Sequence, residues 1–116
     1  MPMITIATSV PYNHVPVDFC SLLTDLLAAM LQKPRERVVV HLMNDQLVRV
    51  GTEDENCLIA TLSSIGKIGA DFNQEHLDKL CAFFQKHLNI SPESTVVRFV
   101  DLVPINVAWN GQLRDK

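Results

Sequence analysis

KPRERVVV, Lys33 to Val40, has a partner phrase later in the chain: SPESTVVR, Ser91 to Arg98. In each phrase a proline, Pro34 or Pro92, stands four residues before a valine, Val38 or Val96. Each phrase leads into a β-branched run of the kind that forms strands. Upstream of the first, VPVDFCSLLTDLLAAMLQK places Phe19, Leu23, Leu26, Leu27, Met30 and Leu31 on one face of an amphipathic helix, ended by Pro34. Upstream of the second, GADFNQEHLDKLCAFFQKHL places Leu77, Leu80, Cys81, Phe84 and Leu88 on a similar stripe, with Asp71 or Asn73 as its N-cap.

Strand patterns bracket both helices. MITIATSV precedes the first and RVVVHLM follows it; CLIATLSS precedes the second and STVVRFVDL follows it, with INVAW as a short fifth piece. The order strand, helix, strand occurs twice, which predicts two βαβ units related by a pseudo-twofold axis. Strands within a unit must be parallel, because the crossover between them is a helix. The fold class is therefore α+β, with a four-stranded mixed sheet and two helices on one face. The strands are near-continuous apolar runs, so the other face needs a cover too. Another copy of the same sheet is the simplest cover, and an oligomer is expected.

The chain has 116 residues, 47% of them apolar and 20% charged, which suits one globular domain spanning residues 1–116. A formal net charge of −3 and the lack of a basic run argue against nucleic acid as a partner. No apolar run approaches the ~20 residues that span a bilayer, so no membrane partner is expected. MPMITIATSV lacks a basic segment and a long apolar segment, so no secretory signal is read and a cytoplasmic location is expected. Cys20, Cys57 and Cys81 are read as reduced thiols; the two on helical patterns, Cys20 and Cys81, are expected to be buried and inert. His14, His41, His76 and His87 show no zinc-like spacing, so no metal is assigned. Gly66 to Gly69, GKIG, lacks the residues of a phosphate loop.

The first three residues, MPM, pose a question. If Met1 is trimmed, Pro2 carries a free secondary amine on a rigid ring instead of an amide. It is then either a stiff start to the first strand or a base. Lys33 is either a cation favoured by a helix C-terminus or an anchor for an anion. Arg98 interrupts TVVRFV, and an unpaired buried guanidinium is costly, so it reaches solvent or meets an anion.

Seven short matches occur in order: MPM, Val15-Pro16, Lys33-Pro34, Asp45-Gln46-Leu47, SIGKIG from Ser64 to Gly69, ISP from Ile90 to Pro92, and NVAW from Asn106 to Trp109. Together, from residue 1 to about residue 111, they resemble the macrophage migration inhibitory factor and D-dopachrome tautomerase family of the tautomerase superfamily. That resemblance implies a homotrimer with its sheets around a central channel, and a cofactor-free keto–enol tautomerase acting on phenylpyruvate-like α-keto acids or dopachrome-like compounds. It makes Pro2 the catalytic base after loss of Met1. It makes Lys33, Ser64, Ile65, Arg98, Val107 and Trp109 the substrate-binding set, with Lys33 on the substrate carboxylate and the Ile65 N–H on the same oxygens. Arg98 takes either the substrate or an inter-subunit salt bridge.

Some positions depart from the family's pattern. Val96 and Arg114 stand where an aromatic wall is usual, so a phenyl ring should be held less tightly. Cys57 is followed by Leu58, Ile59 and Ala60, so the family's Cys-x-x-Cys is broken and no thiol–disulfide chemistry is carried over. The alternative function is a cytokine of the same fold, secreted without a signal peptide, acting on a cell-surface receptor. Asp45 of the receptor pattern is kept, but Tyr12 replaces its basic residue.

Overall fold

The computed structural model describes residues 1–52 and 54–115. Four strands form one sheet: β1 (Met3–Thr8), β2 (Val39–Met43), β3 (Leu58–Ser64) and β4 (Thr95–Asp101). Their order is β2-β1-β3-β4. β1 runs parallel to β2 and β3 parallel to β4, while β1 and β3 pair antiparallel across the middle. The predicted pseudo-twofold thus passes between the two central strands. Helices α1 (Phe19–Leu31) and α2 (Asn73–Leu88) supply the two crossovers.

Side-chain alternation divides the sheet. Ile4 and Ile6 of β1 and Leu58, Ala60 and Leu62 of β3 pack with Phe19, Leu23, Leu27, Leu80 and Phe84 of the helices in one core. Val40, Leu42, Val97 and Phe99 extend it to the outer strands. The opposite face has no helix over it. By register, its middle row is His41, Thr5, Thr61 and Arg98, with Val39, Ile59 and Val96 in the flanking rows.

The two halves also end their helices alike. Gln32 after α1 and Asn89 after α2 both adopt the left-handed conformation, at φ 53° and 55°. α1 therefore stops at Leu31, ahead of Pro34, because Gln32 turns the chain first. Pro34 and Pro92 each lead a single 3-10 turn, Arg35–Arg37 and Pro92–Ser94, that feeds the following strand. The repeated phrase encodes that turn.

Two expectations are corrected, and one is refined. The α2 N-cap is Phe72, with no side-chain cap; the Asn73 side chain instead accepts a hydrogen bond from the Gly69 N–H at 2.9 Å. Cys20 is exposed, since it lies one residue, about 100° of helix, beyond the core-facing Phe19. INVAW is resolved into the end of a 3-10 turn, Pro104–Asn106, and the short strand β5 (Ala108–Trp109), which pairs with β6 (Gln112–Leu113) in a hairpin. Its two-residue turn, Asn110-Gly111, has positive φ at both positions, the geometry that Asn-Gly favours. Cys57 is buried and Cys81 is half-buried. Burial and then Asp78 push the Cys81 thiol above its usual value, which keeps it protonated. No described helix is long and apolar enough to cross a membrane.

Candidate active site

One backbone hydrogen bond anchors the start of the chain. Pro2 lacks an N–H, and its carbonyl accepts from the Val39 N–H at 2.9 Å, extending the β1–β2 pairing by one residue. Proline is tolerated here because the strand begins with it. Pro2 is buried, and so is Met1, at 9% exposure.

Lys33 arrives from the end of α1. Its N–H reaches back to the Ala28 carbonyl at 3.0 Å, which left-handed Gln32 makes possible. Ile65 arrives from the end of β3. The Ser64 carbonyl accepts from the Leu102 N–H at 2.8 Å, which fixes the chain just ahead of Ile65. Beyond it, Gly66 adopts φ 80°, a conformation in which a side chain would be strained. The turn is tied down on three sides. The Gly66 N–H donates to Asp101 Oδ1 at 3.4 Å, Lys67 Nζ donates to Gln32 Oε1 at 2.6 Å, and His76 Nε2 donates to the Lys67 carbonyl at 2.8 Å. A carbonyl can only accept, so His76 carries its proton on Nε2.

These elements enclose a cavity of about 480 Å³ lined by Met1, Gln32, Lys33, Pro34, Arg37, Ile65 and Arg114. Arg37 ends the 3-10 turn before β2. Arg114 is delivered by the hairpin: its N–H donates to the Val107 carbonyl at 2.8 Å, and its guanidinium lies over the Trp109 ring, 5.6 Å from the centroid. Three cations therefore surround the chain's first amine. Burial, then Lys33, Arg114 and Arg37, hold the Met1 amine below its ordinary value of 8.0. Desolvation and like charge both disfavour an ammonium, so the neutral form gains.

Of the residues singled out from sequence, Lys33 and Ile65 line this cavity beside the terminus. Val107 and Trp109 stand behind it and support Arg114. Ser64 is fully buried, and its Oγ has no hydrogen-bond partner among the described residues; its backbone, not its hydroxyl, bears on the site. Arg98 is exposed on the uncovered sheet face, opposite Thr61 and away from the cavity of its own chain. Arg37 and Arg114 are the cations that sequence reasoning missed as a cluster. The Asn110-Gly111 signal, which folds Arg114 back beside Val107, could have found the second. Among the described residues, no three His, Cys, Asp or Glu side chains converge to hold a metal ion.

The sequence model described as macrophage migration inhibitory factor (MIF) matches residues 1–114. The chain is 40% identical over 111 residues to the macrophage migration inhibitory factor of Xenopus tropicalis, and 38% identical to that of Mus musculus, covering 96% of both chains in each case. Among solved structures, the macrophage migration inhibitory factor of Oncomelania hupensis superposes with a TM-score of 0.94 at 32% identity, covering 99% of this chain and 83% of that one. The factor from Trichinella spiralis superposes with a TM-score of 0.92 at 32% identity, covering 96% and 98%.

Proposed function

Since this chain belongs to the macrophage migration inhibitory factor family, we propose that it is a cofactor-free keto–enol tautomerase whose base is the nitrogen of Pro2, freed by removal of Met1. The observation that carries this reading is the cluster of Lys33, Arg37 and Arg114 around a buried chain terminus, with Ile65 in the same wall. With Met1 gone, the Pro2 nitrogen sits at the end of that cavity, exposed to the same cations. A neutral amine there takes a proton from the carbon next to the carbonyl of an α-keto acid such as phenylpyruvate, or of a dopachrome-like compound. The developing enolate oxygen and the carboxylate meet Lys33 and the Ile65 N–H, which stabilise charge as it forms. The reverse transfer, from the prolinium to carbon, gives ketonisation.

The charge arrangement fixes the direction of a pH effect. Lowering the amine's pKa enlarges the neutral, competent fraction at any pH near it, so activity should rise with pH, with the midpoint of that rise below the ordinary amine range. For the Met1 amine Lys33 is the largest charge contribution after burial, and the Pro2 nitrogen, one residue on, is proposed to feel the same charge. Lys33→Met should therefore raise the amine's pKa and move the rising limb of kcat/KM to higher pH, besides lowering its plateau. A pH–rate profile of the variant with its limb unmoved or shifted to lower pH contradicts this assignment. The same sign governs stability: the unfolded chain binds the proton more tightly, so the fold gains with rising pH between the lowered and the ordinary value.

The chain is proposed to act as one domain assembled into a homotrimer, its uncovered sheet face turned to a central channel and Arg98 presented to a neighbouring subunit. Leu47 supports assembly: it is 106% exposed, and a mainly apolar groove of about 550 Å³, lined in part by Val15, Pro16, Val17, Phe19, Val40 and Leu42, stands open beside β2. Seating Leu47 of one copy in the groove of the next hides both. Burying a leucine side chain contributes about 1.5–3 kcal/mol. Leu47→Asp should thus shift the trimer towards smaller species in sedimentation at micromolar concentration, roughly 10- to 100-fold weaker per contact; an unchanged trimer rules out that seat.

The names of the relatives favour a second reading, since those proteins are called factors that inhibit macrophage migration. In it the chain is a secreted cytokine whose cavity is incidental to receptor binding. Migration inhibition that survives Pro2→Gly would support it, and loss of both effects together would not.

A further inference from the structure

The cations around the cavity outnumber what a single carboxylate requires. The ion pairs among the described residues engage Arg35 with Asp25, Arg49 with Asp54 and Lys79 with Glu75, and none of Lys33, Arg37 or Arg114. Among the described residues, no Asp or Glu lines the cavity, and three like charges line it without an ion-pair partner.

Arg114 is not a loose surface arm. The Asn110-Gly111 turn returns the chain, the Val107 carbonyl holds its N–H at 2.8 Å, and the Trp109 ring backs its guanidinium at 5.6 Å. That support orients a planar fork, which suits bidentate contact with a carboxylate. Arg37 stands on the same wall, at the end of a 3-10 turn closed by its own N–H to the Pro34 carbonyl at 3.0 Å. An aromatic ring placed here would strip water from two guanidiniums and return only a cation–π contact to each. A carboxylate would satisfy both.

We propose that the site selects a 2-oxo acid bearing a second carboxylate, with Lys33 on the carboxylate beside the carbonyl and Arg37 with Arg114 on the distal one. This rests on the tautomerase reading for its chemistry, though not for its binding. The proton balance is unchanged: C3 loses a proton to the neutral Pro2 nitrogen, the carbonyl oxygen gains one from water, and the prolinium gives its proton to the hydroxide so formed, which regenerates the base; the reverse steps restore the keto acid. The second carboxylate takes no part except to fix the chain's far end, which holds C3 against the base.

The test uses full-length protein with Met1 removed. Exchange of C3 hydrogens for solvent deuterium is followed by proton NMR for 2-oxopentanedioate and for phenylpyruvate, and 2-oxopentanedioate binding is measured separately by titration calorimetry. The dicarboxylate should exchange with at least tenfold higher kcat/KM. Arg114→Met should cut the ratio between the two substrates at least tenfold, and Arg114→Lys should restore part of it. Phenylpyruvate preferred by the wild type, or a ratio unmoved by Arg114→Met, overturns the inference and leaves the tautomerase reading standing. Exchange of neither substrate, with dicarboxylate binding that Arg114→Met abolishes, overturns the tautomerase reading and leaves the dianion site standing. Neither exchange nor binding overturns both.

Discussion

Protein that retains Met1 should exchange the C3 hydrogens of phenylpyruvate at least 100-fold more slowly than the same chain starting at Pro2. A positioned general base contributes about 10²–10⁴-fold to a proton transfer. An acylated Pro2 nitrogen contributes none of it, because an amide lone pair is delocalised into its carbonyl. The Met1 amine does not replace it, since it lies one residue earlier in the chain and its direction is not fixed by a ring. Pro2→Gly should lose most activity for a related reason: an amine remains, but the ring that aims its lone pair is gone. The fold should survive, because the bond from the Val39 N–H runs to the carbonyl of residue 2, which glycine keeps. Equal exchange rates for the chains with and without Met1, in samples of verified mass, would remove Pro2 from the mechanism.

The other large effect concerns the scaffold. Phe84 of α2 is fully buried in the core shared by both helices and β1 and β3, with Phe83 edge-on to it at 6.1 Å. Phe84→Ala should cost about 3–5 kcal/mol, since it forfeits transfer free energy and leaves a cavity that close-packed neighbours fill only partly. Against a typical total of about 5–15 kcal/mol this is a large share. Urea unfolding at one fixed protein concentration measures it, the concentration being held because assembly adds to apparent stability. A midpoint within error of wild type would mean that α2 is not packed against the sheet as described.

The fold was legible because its signals are local and repeated. Helical stripes at Phe19–Leu31 and Asn73–Leu88, and a proline-led turn before each second strand, name two βαβ units. Helix ends were less legible. Gln32 takes a left-handed conformation that glycine or asparagine more often signals, and the α2 N-cap falls on Phe72, a residue with no capping group. Periodicity tells which face a residue joins only when the register is read closely, and Cys20 sits one step off the stripe.

The site was half legible. Lys33 and Ile65 lie next to element ends that the pattern already located, so their convergence follows from the topology. Arg114 required long-range knowledge, because only the β5–β6 hairpin carries it back to Val107 and Trp109. Read as the loss of an aromatic wall, it is in the structure a cation held by one. Arg98 shows the opposite case: an arginine within an apolar run looks out of place until the sheet is seen to have an uncovered face.

We propose that the Pro2 nitrogen, once freed, has its pKa lowered by burial and by Lys33, Arg114 and Arg37, the causes that lower the Met1 amine. Nitrogen-15 NMR of protein labelled at proline, titrated across pH 4–10 and assigned with Pro2→Gly, reads that nitrogen directly. We expect one proline signal in the amine range, titrating with a midpoint below about 7.7, the lower edge for ordinary α-amines. A Pro2 signal that stays in the amide range at every pH, or an amine that titrates above that range, would contradict it.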